Sequence, residues 1–426
     1  DIDEQDWQKI SSLGLTEAAP PPDVTNAYAD DAAAARLGQR FFFYAGFSGP
    51  LLESDNDGEV GSLGTLGETG RVSCAGCHVP EAGFLDDRSR GQQVSLASGW
   101  TLRRTPSLLD VSQRKVLTWD GHADSFQSQI FAVIESEREM NSSRLFVAQE
   151  VFRVFRSEYE AVFGELPPLD DPLRFPPLLA ALAGCDRAAP LTAPVCRGRP
   201  GDAGIYDALS AEDQDAVTRV VINVGKALGA YQRLLHCGPS RFDRWVDGDE
   251  DALTAEEQRG AVVFVGKGGC VGCHSGPYFS DFGFHNVGLR PSVVAVAIID
   301  KDDAGASAGL AKLLASPLNS AGVFSDGADG RLPEVIAPEM EGAFATPMLR
   351  CASQRPSFMH TAQLGSLESV VEFFNRGGDA RGYPGVSEIE PLDLSSTERA
   401  ELVAFLKTLD GDGPSEELLS PNGLQP

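Results

Sequence analysis

Basic side chains are scarce in this sequence, and long apolar runs are absent from it. Lysine and arginine together number 35 against 62 aspartates and glutamates, which gives a formal net charge of −27 at pH 7. Nucleic-acid binding requires clustered cations that neutralise phosphates, so we exclude that class of protein. The acidity fits a basic protein partner, and it equally fits a role in solubility alone.

No stretch approaches the roughly 18 to 20 consecutive apolar residues of a membrane-spanning helix, so we expect no membrane span. The chain opens with Asp1-Ile2-Asp3-Glu4 instead of a charged segment followed by an apolar one. A secretory leader has that second pattern, so we interpret residue 1 as the start of a processed protein.

Histidine is also scarce, with six copies, and two of them follow a distinctive cysteine pattern. Cys74-Ala75-Gly76-Cys77-His78 and Cys270-Val271-Gly272-Cys273-His274 are two copies of C-x-x-C-H. In this pattern two thiols bond the edge of a porphyrin, and the adjacent histidine binds its iron. A structural zinc site would need the two cysteine pairs, about 190 residues apart, to converge. We therefore predict two covalently bound haem c groups, attached at Cys74, Cys77, Cys270 and Cys273, with His78 and His274 as proximal iron ligands.

The four remaining cysteines are Cys185, Cys196, Cys237 and Cys351. Covalent haem is attached outside the cytoplasm, where disulfide bonds also persist, so we predict a periplasmic or otherwise exported protein. Four cysteines allow three pairings. Because Cys185 and Cys196 bracket one short loop, we expect a bond between them and hence a second bond between Cys237 and Cys351.

The sequence repeats itself at a spacing of 241 residues. Thr105-Pro106-Ser107-Leu108-Leu109 recurs as Thr346-Pro347-Met348-Leu349-Arg350, and Ser112-Gln113-Arg114 recurs as Ser353-Gln354-Arg355. Internal repeats of this kind indicate duplicated units. We therefore predict two cytochrome c-like haem domains related by internal duplication.

Apolar residues recur with helical periodicity over much of the chain. The predicted helices cover residues 125–134, 143–155, 211–235, 254–264, 366–374 and 396–409. We therefore predict a mainly α fold with long loops. Its parts are an N-terminal domain (1–165), a connecting loop rich in Pro, Gly and Ala (166–210), and a C-terminal domain (211–426) with an insertion at 290–343.

A further motif connects the first repeat to a known family. Trp119-Asp120-Gly121-His122-Ala123, followed by Gln129 and Glu139, resembles a pattern of bacterial dihaem cytochrome c peroxidases and MauG-like enzymes, MbnH-like members included. In that family the pattern is W-D-G-R-A with a later Gln and Glu, and the resemblance extends from about residue 34 to about residue 410. It implies that Trp119 lies between the haems as an electron relay and that Gln129 and Glu139 line the distal face of the first haem.

Glu139 has the chemistry that this role requires. Splitting a peroxide O–O bond needs a base that takes a proton from the near oxygen and returns it to the leaving oxygen. A carboxylate beside an open iron can do both. Without the resemblance, Glu139 would be interpreted as a solvated charge at a helix end, and Trp119 as a core aromatic.

The resemblance implies an enzyme of peroxide-dependent oxidation. Hydrogen peroxide is expected to react at the N-terminal, peroxidatic haem. Electrons are expected to come through the C-terminal haem from a small cytochrome or another redox protein. MauG and MbnH-type enzymes instead oxidise residues of a partner protein, which leaves a protein substrate open. A dihaem electron carrier without substrate chemistry is the alternative from a different class.

The sequence departs from its relatives around the first haem. Residues 79–118 contain no histidine, so the sixth ligand that many resting peroxidases place there is missing, and we expect an open first haem. His122 replaces the usual Arg, and we interpret it as a structural residue. Arg104 and Gln354-Arg355-Pro356 occupy positions that commonly hold calcium. Because a guanidinium cannot bind Ca²⁺ but can replace its charge, we do not expect calcium.

The sequence also departs from its relatives around the second haem. Gly268 replaces the surface tryptophan of MauG-like proteins. Peroxidases of the family supply a Met as sixth ligand and MauG a Tyr, whereas the corresponding residue is Phe374, which cannot bind iron. Either the second haem lacks a sixth protein ligand or a nearby donor substitutes, and Met359 is the candidate for that donor, because a thioether suits haem iron. The alternative is a core methionine beside Phe358.

Overall fold

The computed structural model describes residues 2–15, 19–88, 94–186, 195–291 and 302–424, and in these ranges the fold is mainly helical. The helices are α1 (Glu4–Ser11), α2 (Ala32–Phe43), α3 (Cys74–Cys77), α4 (Phe126–Ile134), α5 (Arg144–Val154), α6 (Arg156–Phe163), α7 (Ala211–Gln232), α8 (Arg241–Val246), α9 (Ala255–Val265), α10 (Ala306–Ala315), α11 (Leu367–Asn375) and α12 (Ser396–Leu406). The strands form antiparallel pairs, β1 (Cys185–Asp186) with β2 (Val195–Cys196) and β3 (Phe284–His285) with β4 (Phe344–Ala345). The prediction of a mainly α fold is confirmed.

Polar side chains begin several of the predicted helices. Ser125 accepts a hydrogen bond from the backbone N–H of Ser128 at the start of α4. Thr254 and Glu257 form a reciprocal capping box at the start of α9. Each capping oxygen satisfies an N–H group that has no partner inside the helix. All six predicted helices are confirmed, with ends that differ by at most three residues.

The first hydrophobic core is built around α7. This helix packs on α2, α4 and α5 and buries Val217 and Ala227. Glycine permits the close approach, because a Cβ on Gly38 would lie 1.9 Å from the carbonyl oxygen of Ala227, and one on Gly225 would lie 2.5 Å from the Cα of Gln127. Among the described helices, none has both the length and the apolar character needed to cross a membrane.

The second hydrophobic core joins both ends of the chain. Helices α9, α11 and α12 form it around an aromatic cluster of Phe242, Phe264, Phe279 and Phe405, whose contacting ring centroids lie between 5.3 and 6.3 Å apart. Ile10, near the end of α1, is fully buried in this core. The helix that comes first in the chain therefore belongs to the second core.

The two cores differ from the domain boundaries predicted from chain order. α7 lies within residues 211–426 but forms the centre of the first core, and α1 lies within residues 1–165 but packs on the second. In the predicted insertion, α10 packs on the first half, because a Cβ on Gly309 would lie 1.9 Å from the carbonyl oxygen of Asp120. Periodicity identifies the buried face of a helix but not the partner of that face. This is why boundaries drawn along the chain differ from the packing.

A disulfide bond fixes the segment between β4 and α11 to the first core. Cys237, which follows α7, is bonded to Cys351, and their Cα atoms lie 5.8 Å apart. The predicted pairing of these two cysteines is confirmed. β1 and β2 place the backbones of Cys185 and Cys196 directly opposite each other. Their side chains lie outside the described part of the chain, so the bond between them stays a prediction.

Candidate functional site

The first C-x-x-C-H motif forms a short helix that presents a histidine ring. α3 carries both cysteines, and Ser73 accepts a hydrogen bond from the backbone N–H of Gly76 (3.1 Å) at its start. His78 follows α3, and its Nδ1 donates to the carbonyl oxygen of Phe84 (3.1 Å). This bond leaves Nε2 available to a metal. Burial lowers the pKa of His78 to about 4, which keeps the ring in the neutral form that binds iron.

The second motif repeats this arrangement. Cys270–Gly272 forms a short 3₁₀ turn, and Nδ1 of His274 donates to the carbonyl oxygen of Phe279 (2.8 Å). Burial lowers the pKa of His274 as well. The two acceptor residues, Phe84 and Phe279, both have a left-handed backbone, with φ of 59° and 53°. The same local geometry therefore serves both motifs.

The two cysteine pairs lie in different parts of the molecule. Cys74 and Cys77 pack on the first core, whereas Cys270 packs on the second. Burial raises the pKa of each of these three thiols to about 12, so they are protonated at neutral pH. A single zinc site that uses both pairs does not fit this arrangement, whereas two separate haem attachment sites do.

Glu139 lies close to the first motif. Burial is the main cause that raises the pKa of Cys74 and of Cys77, and the charge of the Glu139 carboxylate raises both further. Its backbone is fixed by hydrogen bonds with Ser136 (3.2 Å) and Ser98 (2.9 Å). Burial raises the pKa of Glu139 itself to about 7, and the ring of His122 partly opposes this rise. Glu139 is only partly exposed, so its carboxyl group differs from a fully solvated charge at a helix end.

Gln129 lies in α4, and the amide oxygen of its side chain is an unused hydrogen-bond acceptor. Its Oε1 atom is buried and has no hydrogen-bond partner among the described residues. Buried polar atoms are rarely left in this state unless a bound molecule or water completes them. The amide oxygen of Gln129 therefore fits a site that receives a hydrogen-bond donor.

Trp119 lies at the contact between the two repeats. Its Nε1 donates to the carbonyl oxygen of Arg104 (2.8 Å), and its ring lies beside that of His360, with centroids 6.4 Å apart. The backbone contacts are reciprocal. The backbone N–H of Ala345 donates to the carbonyl oxygen of Trp119 (2.8 Å), and the backbone N–H of Arg104 donates to the carbonyl oxygen of His360 (2.7 Å). Sequence reasoning missed His360, although the 241-residue spacing pairs it with Trp119.

A charged network holds the loop that carries Trp119. Asp120 contacts Nδ1 of His122 (2.6 Å) and pairs with Arg103 (2.7 Å), which also pairs with Asp303 (2.7 Å). Burial alone would raise the pKa of Asp120, but His122 and Arg103 hold it well below its usual value. The carboxylate therefore stays charged and fixes the loop. His122 has the hydrogen-bond partner expected of a structural residue.

Met359 lies in the neighbourhood of the second motif. It is partly buried against the second core, which also contacts Cys270, and its backbone is left-handed with φ of 68°. Phe374 is partly buried near the end of α11 and packs edge to face on Phe373. The packing of Met359 permits both a ligand role and a core role for its side chain.

Three arginines carry buried N–H groups without acceptors in the described part of the chain. These groups are Nε and Nη1 of Arg88, Nε and Nη2 of Arg104, and Nη2 of Arg114. Arg88 also lies beside the first motif, with its Nη2 4.0 Å from the sulfur of Cys77. Haem carries propionate carboxylates, which are the acceptors that such guanidinium groups prefer. The side chains around the motifs therefore fit the haem groups that the motifs predict.

Comparison with known proteins places these features in one family. A family model described as di-haem cytochrome c peroxidase matches residues 32–189. The methylamine utilization protein MauG of Methylorubrum extorquens is 32% identical over 348 residues, which cover 82% of this chain and 75% of that protein. Cytochrome-c peroxidase IdrP2 of Denitromonas iodatirespirans is 26% identical and covers 91% of this chain and 84% of its own length.

Solved structures show the same fold. The diheme peroxidase BthA from Burkholderia thailandensis superposes with a TM-score of 0.62 at 21% identity, over 92% of this chain and 90% of that one. A MauG-like protein associated with microbial copper homeostasis superposes with a TM-score of 0.59 at 23% identity, over 97% of both chains.

The fold and the two motifs define a c-type cytochrome with two covalently bound haems, and the relatives are oxidoreductases. The chain belongs to the family of dihaem cytochrome c peroxidases and MauG proteins. It is a dihaem, peroxidase-like oxidoreductase.

Proposed function

We propose that hydrogen peroxide reacts in the first half of the chain, where Cys74, Cys77 and His78 hold a haem, and that electrons reach this place through the second half. The observation that carries the proposal is the position of the partly buried Glu139, whose charge acts on both thiols of the first motif. When bound, haem supplies an iron at which a peroxide O–O bond can be split.

Glu139 acts as the proton carrier in this proposal. With a pKa of about 7, its carboxyl group accepts a proton from the near oxygen of the peroxide and returns it to the leaving oxygen at neutral pH. The buried Oε1 of Gln129 accepts a hydrogen bond from the peroxide and orients it. Trp119 and His360, in ring contact where the repeats meet, form the route for electrons.

Histidine placement supports an open first haem. Apart from the two proximal ligands, the histidines are His122, His236 and His285, which contact carboxylates, and His360, which stacks on Phe344. None of them lies in residues 79–118, where resting peroxidases of the family often place a sixth ligand. We therefore expect the oxidised protein to react with peroxide without prior reduction.

The internal duplication is part of the proposal, because it explains why the two sites resemble each other. Ser125 and Ser366 cap α4 and α11, which are both nine residues long and lie 241 residues apart. The backbone bridges Leu117–Ala123 and Phe358–Leu364 have the same spacing. So do three pairs of left-handed residues: Asp110 and Cys351, Thr118 and Met359, Gly121 and Ala362. Two cytochrome c-like units account for this pattern.

A basic redox protein such as a small cytochrome is the proposed electron donor. The net charge of −27 favours a partner of opposite charge. A protein substrate of the MauG type is the second candidate, because a MauG protein is a relative at 32% identity. Gly268 argues against a tryptophan route to such a substrate, since any Cβ there would lie 2.7 Å from the carbonyl oxygen of Val263. Covalent haem and the Cys237–Cys351 bond support export from the cytoplasm.

Intact-mass measurement and rapid mixing test the proposal together. The denatured protein is expected to retain two haem additions, one for each C-x-x-C-H motif. The oxidised holoprotein is expected to show a high-spin haem spectrum and to react directly with hydrogen peroxide. A single haem addition would refute the two-centre arrangement. Two haems without any reaction with peroxide would favour a pure electron carrier.

The sixth ligand of the second haem can be tested through Met359. If its thioether binds the iron, the oxidised protein is expected to show the near-infrared band of methionine ligation, and Met359→Ala is expected to abolish it. Met340, in the turn Pro338–Met340 that packs beside α10, provides the matched control, because Met340→Ala should leave the band intact. A spectrum of the tyrosinate type, or a band that survives in Met359→Ala, would exclude Met359 as the ligand.

A further inference from the structure

Arg104 is a buried cation whose donors are unused. The residue is only 4% exposed, and its Nε and Nη2 atoms have no acceptor among the described residues. Its backbone makes two hydrogen bonds. The N–H donates to the carbonyl oxygen of His360 (2.7 Å), and the carbonyl oxygen accepts from Nε1 of Trp119 (2.8 Å). Arg104 therefore has a defined position where the two repeats meet, without the charge partner that burial requires.

A second arginine, Arg355, is partly buried, and its charge acts on Arg104. The Nη2 atom of Arg355 donates to the carbonyl oxygens of Met348 (2.8 Å) and Arg350 (3.3 Å), neither of which carries a charge. Burial lowers the pKa of Arg355 to about 10, and the charges of Asp410 and Asp110 oppose this only in part. Burial above all, and then the charge of Arg355, lowers the pKa of Arg104 to about 9. Two neighbouring cations in a protein interior are costly unless an anion joins them.

Each of these two arginines lies near one of the proximal ligands. Pro106, two residues after Arg104, contacts the ring of His78 through its backbone. The charge of Arg355 in turn acts on the ring of His274. An anion that reaches both arginines is therefore expected to lie near both C-x-x-C-H motifs. The groups that bring carboxylates to that place are the haems themselves.

We propose that Arg104 and Arg355 form one anion site that binds propionate carboxylates of the two haems and occupies the place of a metal ion between them. The planar fork of a guanidinium presents parallel N–H groups that match the two oxygens of a carboxylate. Two fixed positive charges also repel a divalent cation, so the site does not take calcium. The proposal rests on the two bound haems and not on the identity of the oxidant.

Removing one of these charges must change how easily the haems are reduced. A positive charge beside a haem stabilises the ferrous form relative to the more positive ferric form. We expect Arg104→Met to shift the reduction equilibrium of at least one haem about tenfold toward ferric iron, which lowers its potential by about 59 mV for one electron. Arg104→Lys keeps the charge but loses the fork, so its potentials should lie nearer to those of the native protein.

The test is a spectroelectrochemical titration of the purified dihaem protein and its variants in the absence of peroxide. Arg156→Met is the matched control, because it removes the same charge from the exposed side of α6, where Arg156 pairs with Glu160 and lies over the ring of Phe152. Its potentials should equal those of the native protein. If Arg104→Met loses haem, Arg355→Met replaces it with the same expectation. The proposal would be overturned if removal of the charge changed the reduction equilibrium of each haem by less than twofold.

A second arm uses the native protein alone. Incubation with a calcium chelator, and then with added calcium, is expected to leave the haem spectra and both potentials unchanged. Spectra or potentials that shift on chelation and return with calcium would show that a metal ion occupies the site, which also overturns the proposal. Because peroxide is absent from both arms, a failure here is distinguishable from a failure of the proposed peroxidase reaction.

Discussion

Glu139→Gln is expected to slow the reaction of the oxidised protein with hydrogen peroxide by about 100- to 10,000-fold, the usual contribution of a positioned acid–base group. Glutamine preserves the size of the side chain but cannot accept and return a proton. Stopped-flow absorbance at the haem bands measures the rate constant directly. Haem content should remain at two per chain, because Glu139 is not part of either attachment motif.

The pH dependence of the same reaction provides a sharper criterion. Because burial raises the pKa of Glu139 to about 7, the carboxylate that acts as the base is lost as the pH falls through 7. The rate constant of the native protein should therefore rise with pH around 7, and the Glu139→Gln variant should lose this rise. Glu81→Gln, an exposed carboxylate beside the first motif, is the control and should retain both rate and profile. An unchanged rate in Glu139→Gln would remove Glu139 from the mechanism.

Arg350→Met is expected to destabilise the protein by about 3–5 kcal/mol, the cost of leaving a buried charge without its partner. The guanidinium of Arg350 is 1% exposed and forms two hydrogen bonds with Asp243 (2.7 and 2.8 Å). Asp243 also accepts a hydrogen bond from the backbone N–H of Leu15 and belongs to the capping box of α8. The loss of Arg350 thus weakens contacts among three separate segments.

Urea denaturation of the holoprotein, followed by far-ultraviolet circular dichroism, measures this effect. Arg244→Met is the matched control. Arg244 lies in α8 as well, but its side chain is 61% exposed, and its contact with Asp249 is long, at 3.9 Å. Its loss should therefore change the free energy of unfolding by less than about 0.5 kcal/mol. Arg350→Met combined with Asp243→Asn should recover part of the loss, because no charge is then left unpaired. A loss below about 1 kcal/mol in Arg350→Met would mean that Asp243 does not depend on this arginine for its charge.

The sequence predicts those features of the site that depend on local pattern. The two C-x-x-C-H motifs, the helix that begins after Ser125 and the capping box at Thr254 all lie within a few residues of their partners, so chain order is sufficient to find them. Glu139 is different, because Glu135-Ser136-Glu137-Arg138-Glu139 has the composition of a solvated turn. Its backbone position is fixed by a hydrogen bond from Ser98, some forty residues earlier in the chain.

The parts that the sequence does not predict are contacts between distant segments. An amphipathic pattern in α7 identifies its buried side but cannot state that α2 and α4 cover it. Arg104 is a clear case, since the sequence identifies a cation at a calcium position but not the burial that leaves its donors unused. His360 is a second one, because its backbone contact with Arg104 and its ring contact with Trp119 reveal its place between the repeats.

The exchange of helices between the two cores also constrains how the protein is made. During synthesis the first C-x-x-C-H motif emerges about 130 residues before α7 begins, and α7 is the centre of the core on which that motif packs. The first core therefore cannot close until more than half of the chain has appeared, and α1 waits still longer for α9 and α12. Throughout this interval the core on which Cys74 and Cys77 pack is incomplete. The machinery that attaches haem can thus meet the first motif before this core has closed, and the two halves of the protein mature together.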